Sequence, residues 1–66
     1  MHITVNGRAL ELPSPFTMTE FLAWRGLAGK RLATELNGEI LPRSQYDQHA
    51  LRDGDTLEIV GAVGGG

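Results

Sequence analysis

The chain has 66 residues, a formal net charge of −2 and no cysteine. A domain of this size buries only about 60% of the surface that its unfolded chain exposes, so a deep catalytic cleft is not expected. The absence of cysteine excludes a disulfide framework and a Cys/His zinc cluster. Acidic and basic residues are interspersed, so the sequence predicts neither a basic surface for nucleic acid nor a polybasic patch for a membrane. A folded protein is the expected partner.

The distribution of apolar residues along the sequence indicates where in the cell the protein resides. No apolar run approaches the roughly 20 residues of a membrane span. A strand pattern begins directly after the first residue, where a signal peptide would place a basic and then an apolar segment. We therefore expect the protein to reside in the cytoplasm.

The first predicted element is a β-hairpin. Residues alternate between apolar and polar over 2–5 and 8–12, and Asn6-Gly7 joins the two stretches. Both central residues of a type I′ turn need positive φ, which Asn and Gly tolerate. Pro13 then ends the second strand, because proline has no N–H to donate to a ladder.

A short helix is predicted over residues 18–25. Thr17 and Glu20 have the spacing of a capping box, in which each side chain accepts from the other's backbone N–H. Gly26 is a natural stop in the left-handed conformation. The apolar side of the helix is expected to carry Met18, Phe21 and Leu22, together with either Trp24 or the aliphatic stem of Arg25.

A second hairpin is predicted around Asn37-Gly38. The strand candidates on either side are residues 32–36 and 39–41, and Pro42 closes the second of them. The same type I′ requirement applies to this Asn-Gly pair.

The remaining segments are a helical turn and a last strand. A single helical or 3₁₀ turn is predicted to start within residues 44–47, with Ser44 as its cap. The Asp-Gly-Asp sequence at 53–55 predicts a sharp turn before a final strand over residues 56–60. We expect Gly61 to break that strand.

The order of these elements predicts an α+β protein of β-grasp, or ubiquitin-like, architecture. A mixed sheet of about five short strands would carry one helix across one face, together with a short 3₁₀ turn, and the final strand would pair beside the first. Residues 1–60 would form the domain, and residues 61–66 a flexible glycine-rich tail.

The chain ends in Val63-Gly64-Gly65-Gly66. Backbone without Cβ atoms can be threaded into an active site too narrow for side chains. A terminal α-carboxyl, with a reference pKa of about 3.5, is ionised at neutral pH and must be activated before it can react. We therefore interpret the protein as a substrate of an ATP-using enzyme and not as a catalyst. The simpler interpretation of the tail is a flexible linker or a cloning scar.

Other polar residues give weaker signals. His2 and His49 do not lie at metal-ligand spacing from other ligand types, so no metal site is predicted. Asp53, Asp55 and Glu58 are explained by a turn followed by a solvated strand face. A second hypothesis is that these acids meet basic residues of a partner near the tail.

Several motifs occur together in a fixed order. The segment Asn-Gly-Glu-Ile-Leu-Pro-Arg at 37–43 is followed by Tyr46, the Asp-Gly-Asp turn at 53–55, the final strand and the terminal glycines. Over nearly its full length the chain therefore resembles the ThiS family of thiamine-biosynthesis sulfur carriers.

The resemblance implies a cycle of activation and transfer at Gly66. An E1-like adenylating enzyme of the ThiF type would use ATP and magnesium to adenylate Gly66, with no cofactor bound by the carrier itself. Sulfur from a cysteine-desulfurase persulfide would then replace AMP and leave a thiocarboxylate. A thiazole synthase of the ThiG type would accept this sulfur. Gly65 matches the other glycine of the family's terminal pair. Gly64 and Val63 are expected to be recognised with the rest of the tail.

Three other functions remain open at the level of sequence. The small subunit of molybdopterin synthase shares the same fold and tail. A ubiquitin-like modifier would begin with the same adenylation but would form isopeptide bonds with target lysines. A β-grasp interaction module would carry inert glycines.

Overall fold

The computed structural model describes residues 1–61 of the chain. Over this range the chain forms five β-strands, one α-helix and one 3₁₀ turn. The elements are β1 (His2–Val5), β2 (Arg8–Glu11), α1 (Met18–Trp24), β3 (Leu32–Leu36), β4 (Glu39–Leu41), the 3₁₀ turn (Arg43–Gln45) and β5 (Thr56–Gly61).

The strands form one mixed sheet in the order β2-β1-β5-β3-β4. β1 and β5 run parallel, and the other neighbouring pairs are antiparallel. The predicted position of the last strand beside the first is confirmed. β5 is the central strand, so the chain passes through the middle of the sheet just before residues 62–66.

Both Asn-Gly pairs form the predicted turns. Asn6 and Asn37 have φ of 50° and 51°, and the glycines that follow have φ of 83° and 88°. These positive values at both central positions are those of type I′ turns. β2 ends at Glu11, one residue before the predicted end.

The capping box of α1 is confirmed. The Glu20 N–H donates to Thr17 Oγ1 at 3.1 Å, and the Thr17 N–H donates to Glu20 Oε1 at 2.8 Å. The helix ends at Trp24, one residue earlier than predicted, and Gly26 follows with φ of 76°. Within residues 1–61 no helix is long and apolar enough to cross a membrane.

The core lies between α1 and one face of the sheet. Met18, Phe21 and Leu22 of the helix are buried, whereas Trp24 is 44% exposed. A seven-residue helix is marginal in isolation, so this packing is what holds it. The buried apolar cluster consists of Ile3, Leu12, Met18, Phe21, Leu22, Leu41, Tyr46, Leu51 and Leu57.

The predicted cap of the 3₁₀ turn was wrong. The turn begins at Arg43, Pro42 precedes it as the N-cap residue, and no side chain caps it. Pro42 has φ of −63°, and its carbonyl accepts from the Gln45 N–H at 2.9 Å. Because the pyrrolidine ring already fixes the φ that starts the turn, Ser44 falls inside the turn.

The predicted break at Gly61 was also wrong. β5 continues through Gly61, which lies opposite Leu32 of β3. Glycine weakens a strand by its conformational entropy, but pairing along β3 over five residue pairs outweighs this local tendency.

Candidate functional site

The residues predicted to carry the chemistry are those of the tail. Val63, Gly64, Gly65 and Gly66 lie outside the described residues. The structure therefore defines the base from which the tail starts, and Gly61 is the last residue of that base.

β5 carries the chain from the core to the surface. Leu57 is fully buried, Ile59 is half-buried, and Val60 and Gly61 are exposed. β5 is paired on one side with β1 and on the other with β3. The tail thus begins at the end of a central strand and not in a loop.

The two hairpin turns attach to β5 through their asparagine side chains. Asn6 Oδ1 accepts from the Ile59 N–H at 2.7 Å, and Asn6 Nδ2 donates to the Ile59 carbonyl at 3.2 Å. At the other end of the strand, Asn37 Oδ1 accepts from the Thr56 N–H at 2.9 Å. Sequence reasoning assigned these asparagines to turns and missed the bonds to β5.

The sheet face opposite the helix carries a patch beside the tail base, the open-face patch, which consists of Ala33, Glu35, Ile40, Glu58 and Val60. Ala33 lies opposite Val60, and Glu35 lies opposite both Glu58 and Ile40, so all five share one face. Ile40 and Val60 are 71% and 64% exposed. Three apolar side chains and two carboxylates therefore face solvent next to the start of the tail.

The three acids near the last turn have different roles. Asp55, 9% exposed, accepts from the Arg52 N–H at 2.8 Å and from Asn37 Nδ2 at 3.1 Å. Asp53 Oδ1 accepts from the His2 N–H at 2.7 Å. Glu58 is exposed on the open-face patch. The interpretation as a turn followed by a solvated strand face is confirmed, and of the three acids Glu58 is the best placed to meet a partner.

Within residues 1–61, no group of three or more His, Cys, Asp or Glu side chains is arranged so that it could hold a metal ion. His2 Nε2 lies 3.6 Å from Glu11 Oε1, and both side chains are exposed on the first hairpin.

A groove of about 320 Å³ lies between the end of α1 and the 3₁₀ turn. Its polar lining includes Thr19, Lys30, Arg43 and Asp47. The Thr19 hydroxyl donates to Asp47 Oδ1, and no histidine of the described range lines the groove. A hydroxyl held by a carboxylate, with no imidazole beside it, lacks the base of a catalytic triad.

A mixed five-stranded sheet with one helix, whose central last strand leads into a glycine-rich end, defines the class of small β-grasp proteins. The family model that describes the ThiS family matches residues 3–66. The chain belongs to the ThiS family.

Individual relatives agree with this assignment. The sulfur carrier protein ThiS of Escherichia coli is 30% identical over 66 residues, which cover all of both chains. A thiazole synthase of Paramagnetospirillum magneticum is 39% identical over 66 residues, and this chain spans 20% of the length of that protein. The crystal structure of the thiamine biosynthesis protein ThiS from Geobacter metallireducens superposes with a TM-score of 0.85 at 35% identity and covers all of both chains.

Proposed function

We propose that the protein is a sulfur carrier of thiamine biosynthesis and that Gly66 carries the sulfur as a thiocarboxylate. The observation that supports this most is the ThiS family match, which extends to Gly66 itself. The full-length similarity to a sulfur carrier protein ThiS supports the same role.

The absence of cysteine in the sequence supports a main-chain attachment point. No side-chain thiol is present to hold sulfur, so a terminal carboxyl is the group that remains. A carboxylate has no acceptable leaving group at neutral pH, and its conversion needs activation by another enzyme. The protein then acts as the substrate of that enzyme and is not a catalyst itself.

The proposed activation proceeds in two stages. An E1-like adenylating enzyme of the ThiF type binds ATP and magnesium, and the carboxylate oxygen of Gly66 attacks the α-phosphorus while pyrophosphate leaves. A persulfide supplied through a cysteine desulfurase then attacks the acyl carbon, and AMP leaves. A thiol then attacks the sulfur of the resulting acyl disulfide that is not bonded to the acyl carbon, so that a new disulfide forms and the thiocarboxylate leaves.

A thiazole synthase is the proposed acceptor of the sulfur. Its support is the similarity of the whole chain to a segment of the Paramagnetospirillum magneticum thiazole synthase. Residues Val63, Gly64 and Gly65 would be recognised as extended backbone that passes a narrow entrance. The five residues 62–66 would reach about 17 Å beyond the end of β5 if extended, far enough to enter another protein's active site.

Reconstitution tests this function. The protein is incubated with the adenylating enzyme, ATP, magnesium and a persulfide donor, and its intact mass is measured. We expect an increase that equals the exchange of one oxygen for one sulfur. Deletion of Gly66, or addition of one residue after it, should abolish the increase and leave the far-ultraviolet circular dichroism unchanged. A normal mass increase in the deleted protein would refute the assignment of Gly66.

A conjugation assay separates the carrier from a ubiquitin-like modifier. Lysine conjugates of higher mass, recovered from cells and dependent on Gly66, would support the modifier and contradict the carrier. The carrier predicts that free protein and its thiocarboxylate account for the recovered material.

A further inference from the structure

Asn6 extends the pairing of β5 beyond the end of β1. The Asn6 N–H donates to the Leu57 carbonyl at 2.9 Å, as a residue of a parallel ladder would. In a regular ladder the Asn6 main-chain carbonyl would next accept from the Ile59 N–H. Its φ of 50° instead turns the main chain into the hairpin, and Asn6 Oδ1 accepts that bond at 2.7 Å.

The carboxamide of Asn6 therefore replaces a peptide group. It also donates to the Ile59 carbonyl at 3.2 Å, so both backbone groups of Ile59 on the β1 side are paired. Ile59 lies two residues before Gly61, the last described residue. Without this carboxamide, the described pairing of β5 with β1 would end at Leu57, and the last residues of β5 would be held by β3 alone.

Asn37 provides a matched arrangement at the other end of β5. Its φ is 51°, it is followed by glycine, and its Oδ1 accepts from the Thr56 N–H. Its Nδ2 donates to Asp55 Oδ1 at 3.1 Å. Both asparagines thus accept from a backbone N–H of β5 through Oδ1, but Asn6 does so at the end next to the tail and Asn37 at the distant end.

We propose that Asn6 is a positioning residue for tail modification, because it fixes the direction in which the last strand delivers residues 62–66 to the activating enzyme. This inference rests on the proposed function. A strand held on both sides has little freedom left to lose when its extension enters an active site. A strand held on one side must be ordered during binding, which lowers affinity.

The test compares Asn6→Gly with Asn37→Gly. Glycine adopts positive φ without steric cost, so each variant keeps its turn and loses only the carboxamide. Adenylation is followed by ATP–pyrophosphate exchange with the carrier as the varied substrate. The cost of ordering the end of β5 weakens binding of the ground state and of the transition state equally. N6G should therefore raise the KM for the carrier by about three- to tenfold and leave kcat unchanged.

The N37G variant distinguishes an effect on tail positioning from a general loss of protein stability. Loss of the Asn37 carboxamide also removes a hydrogen-bond donor from Asp55, which is nearly buried. N37G should therefore lower the thermal midpoint at least as much as N6G does. We expect N37G to keep KM within about twofold of the wild type, because the end of β5 that it releases is far from the tail. Equal KM values for N6G and N37G, with wild-type protein adenylated normally, would overturn the role of Asn6.

Amide hydrogen exchange and an Asn6→Asp variant test directly whether the Asn6 carboxamide holds Ile59. Amide hydrogen exchange should speed up at Ile59 in N6G and at Thr56 in N37G, and unchanged Ile59 exchange in N6G would contradict the inference. Asn6→Asp keeps the acceptor for the Ile59 N–H but sets a carboxylate oxygen against the Ile59 carbonyl, and it should give a KM between those of wild type and N6G. Wild-type protein that the adenylating enzyme does not activate would refute the proposed function instead.

Discussion

At the scale of single residues, the buried polar side chains within residues 1–61 each have an internal partner. Thr34 is fully buried on β3, and its Oγ1 accepts from the Tyr46 hydroxyl at 3.1 Å. Tyr46 itself is 7% exposed and belongs to the apolar core. Tyr46, which entered the family resemblance as a motif residue, thus has a structural role. It ties the segment after the 3₁₀ turn to the sheet.

A double-mutant cycle tests this contact. Tyr46→Phe and Thr34→Val each leave one buried polar group without its partner, which should cost about 1–3 kcal/mol of unfolding free energy. The double variant leaves neither group unpaired and should cost less than the sum of the two by about 1 kcal/mol. Urea unfolding measures all four proteins. Strictly additive costs would show that the hydroxyl pair contributes no coupling.

Asp55 offers a second test at this scale. Asp55→Ala removes the acceptor of the Arg52 N–H and of Asn37 Nδ2, both around the last turn. We expect a loss of about 1–3 kcal/mol in urea unfolding, because partly buried donors are left unpaired. Asp53→Ala is the control, since it removes one bond at an exposed site. An equal or larger loss for Asp53→Ala would contradict the assignment.

The backbone angles of single residues could be predicted where a local turn type requires them, but their long-range hydrogen bonds could not. Positive φ at Asn6 and Asn37 follows from the Asn-Gly pairs, because the turn type depends on two adjacent residues. The bonds from Asn6 to Ile59 join residues 53 apart in the chain. Sequence spacing carries no signal for such a contact until the sheet order is known.

At the scale of elements, the cap of α1 carries a prediction. The helix has seven residues, and Thr17 caps it. Thr17→Ala should lower the unfolding free energy by about 1 kcal/mol, because the Glu20 N–H loses its side-chain acceptor. Thr17→Ser keeps the hydroxyl and should restore most of that stability. Thermal unfolding compares the three proteins, and an unchanged midpoint for Thr17→Ala would show that the capping box contributes nothing.

Element boundaries were less predictable than element types. Both hairpins, the helix and the last strand follow from turn signals and apolar periodicity. The 3₁₀ turn started before Ser44 because Pro42 already supplied the required backbone angle. β5 extended through Gly61 because Leu32 of a neighbouring strand pairs with it, a tertiary effect absent from the local sequence.

At the scale of the whole molecule, the β-grasp architecture was predictable because two hairpins, one helix and a last strand have few ways to share one small core. The position of β5 beside β1 followed from the same constraint and is confirmed, whereas its pairing with β3 on the other side was not predicted. The chemistry proposed for Gly66 rests on the ThiS family match, because the β-grasp architecture alone does not specify it.

The open-face patch gives a prediction about partner binding. Glu58 lies directly opposite Glu35, so Glu58→Lys replaces a like-charge pair by an opposite-charge pair. Stability should stay equal or rise by about 0.2–1 kcal/mol. If a basic partner surface meets this patch near the tail, affinity for the adenylating enzyme should fall, as measured by calorimetry. Glu11→Lys, on the edge strand β2, is the control of equal net charge. Unchanged affinity for Glu58→Lys would exclude the patch as that surface.

The central claim is that sulfur is carried on the main chain at Gly66. The most direct test is fragmentation mass spectrometry of the C-terminal peptide after reconstitution with the adenylating enzyme, ATP, magnesium and a persulfide donor. We predict that the exchange of one oxygen for one sulfur is found on Gly66 and on no other residue. An unmodified C-terminal peptide, or sulfur located elsewhere in the chain, would contradict the claim.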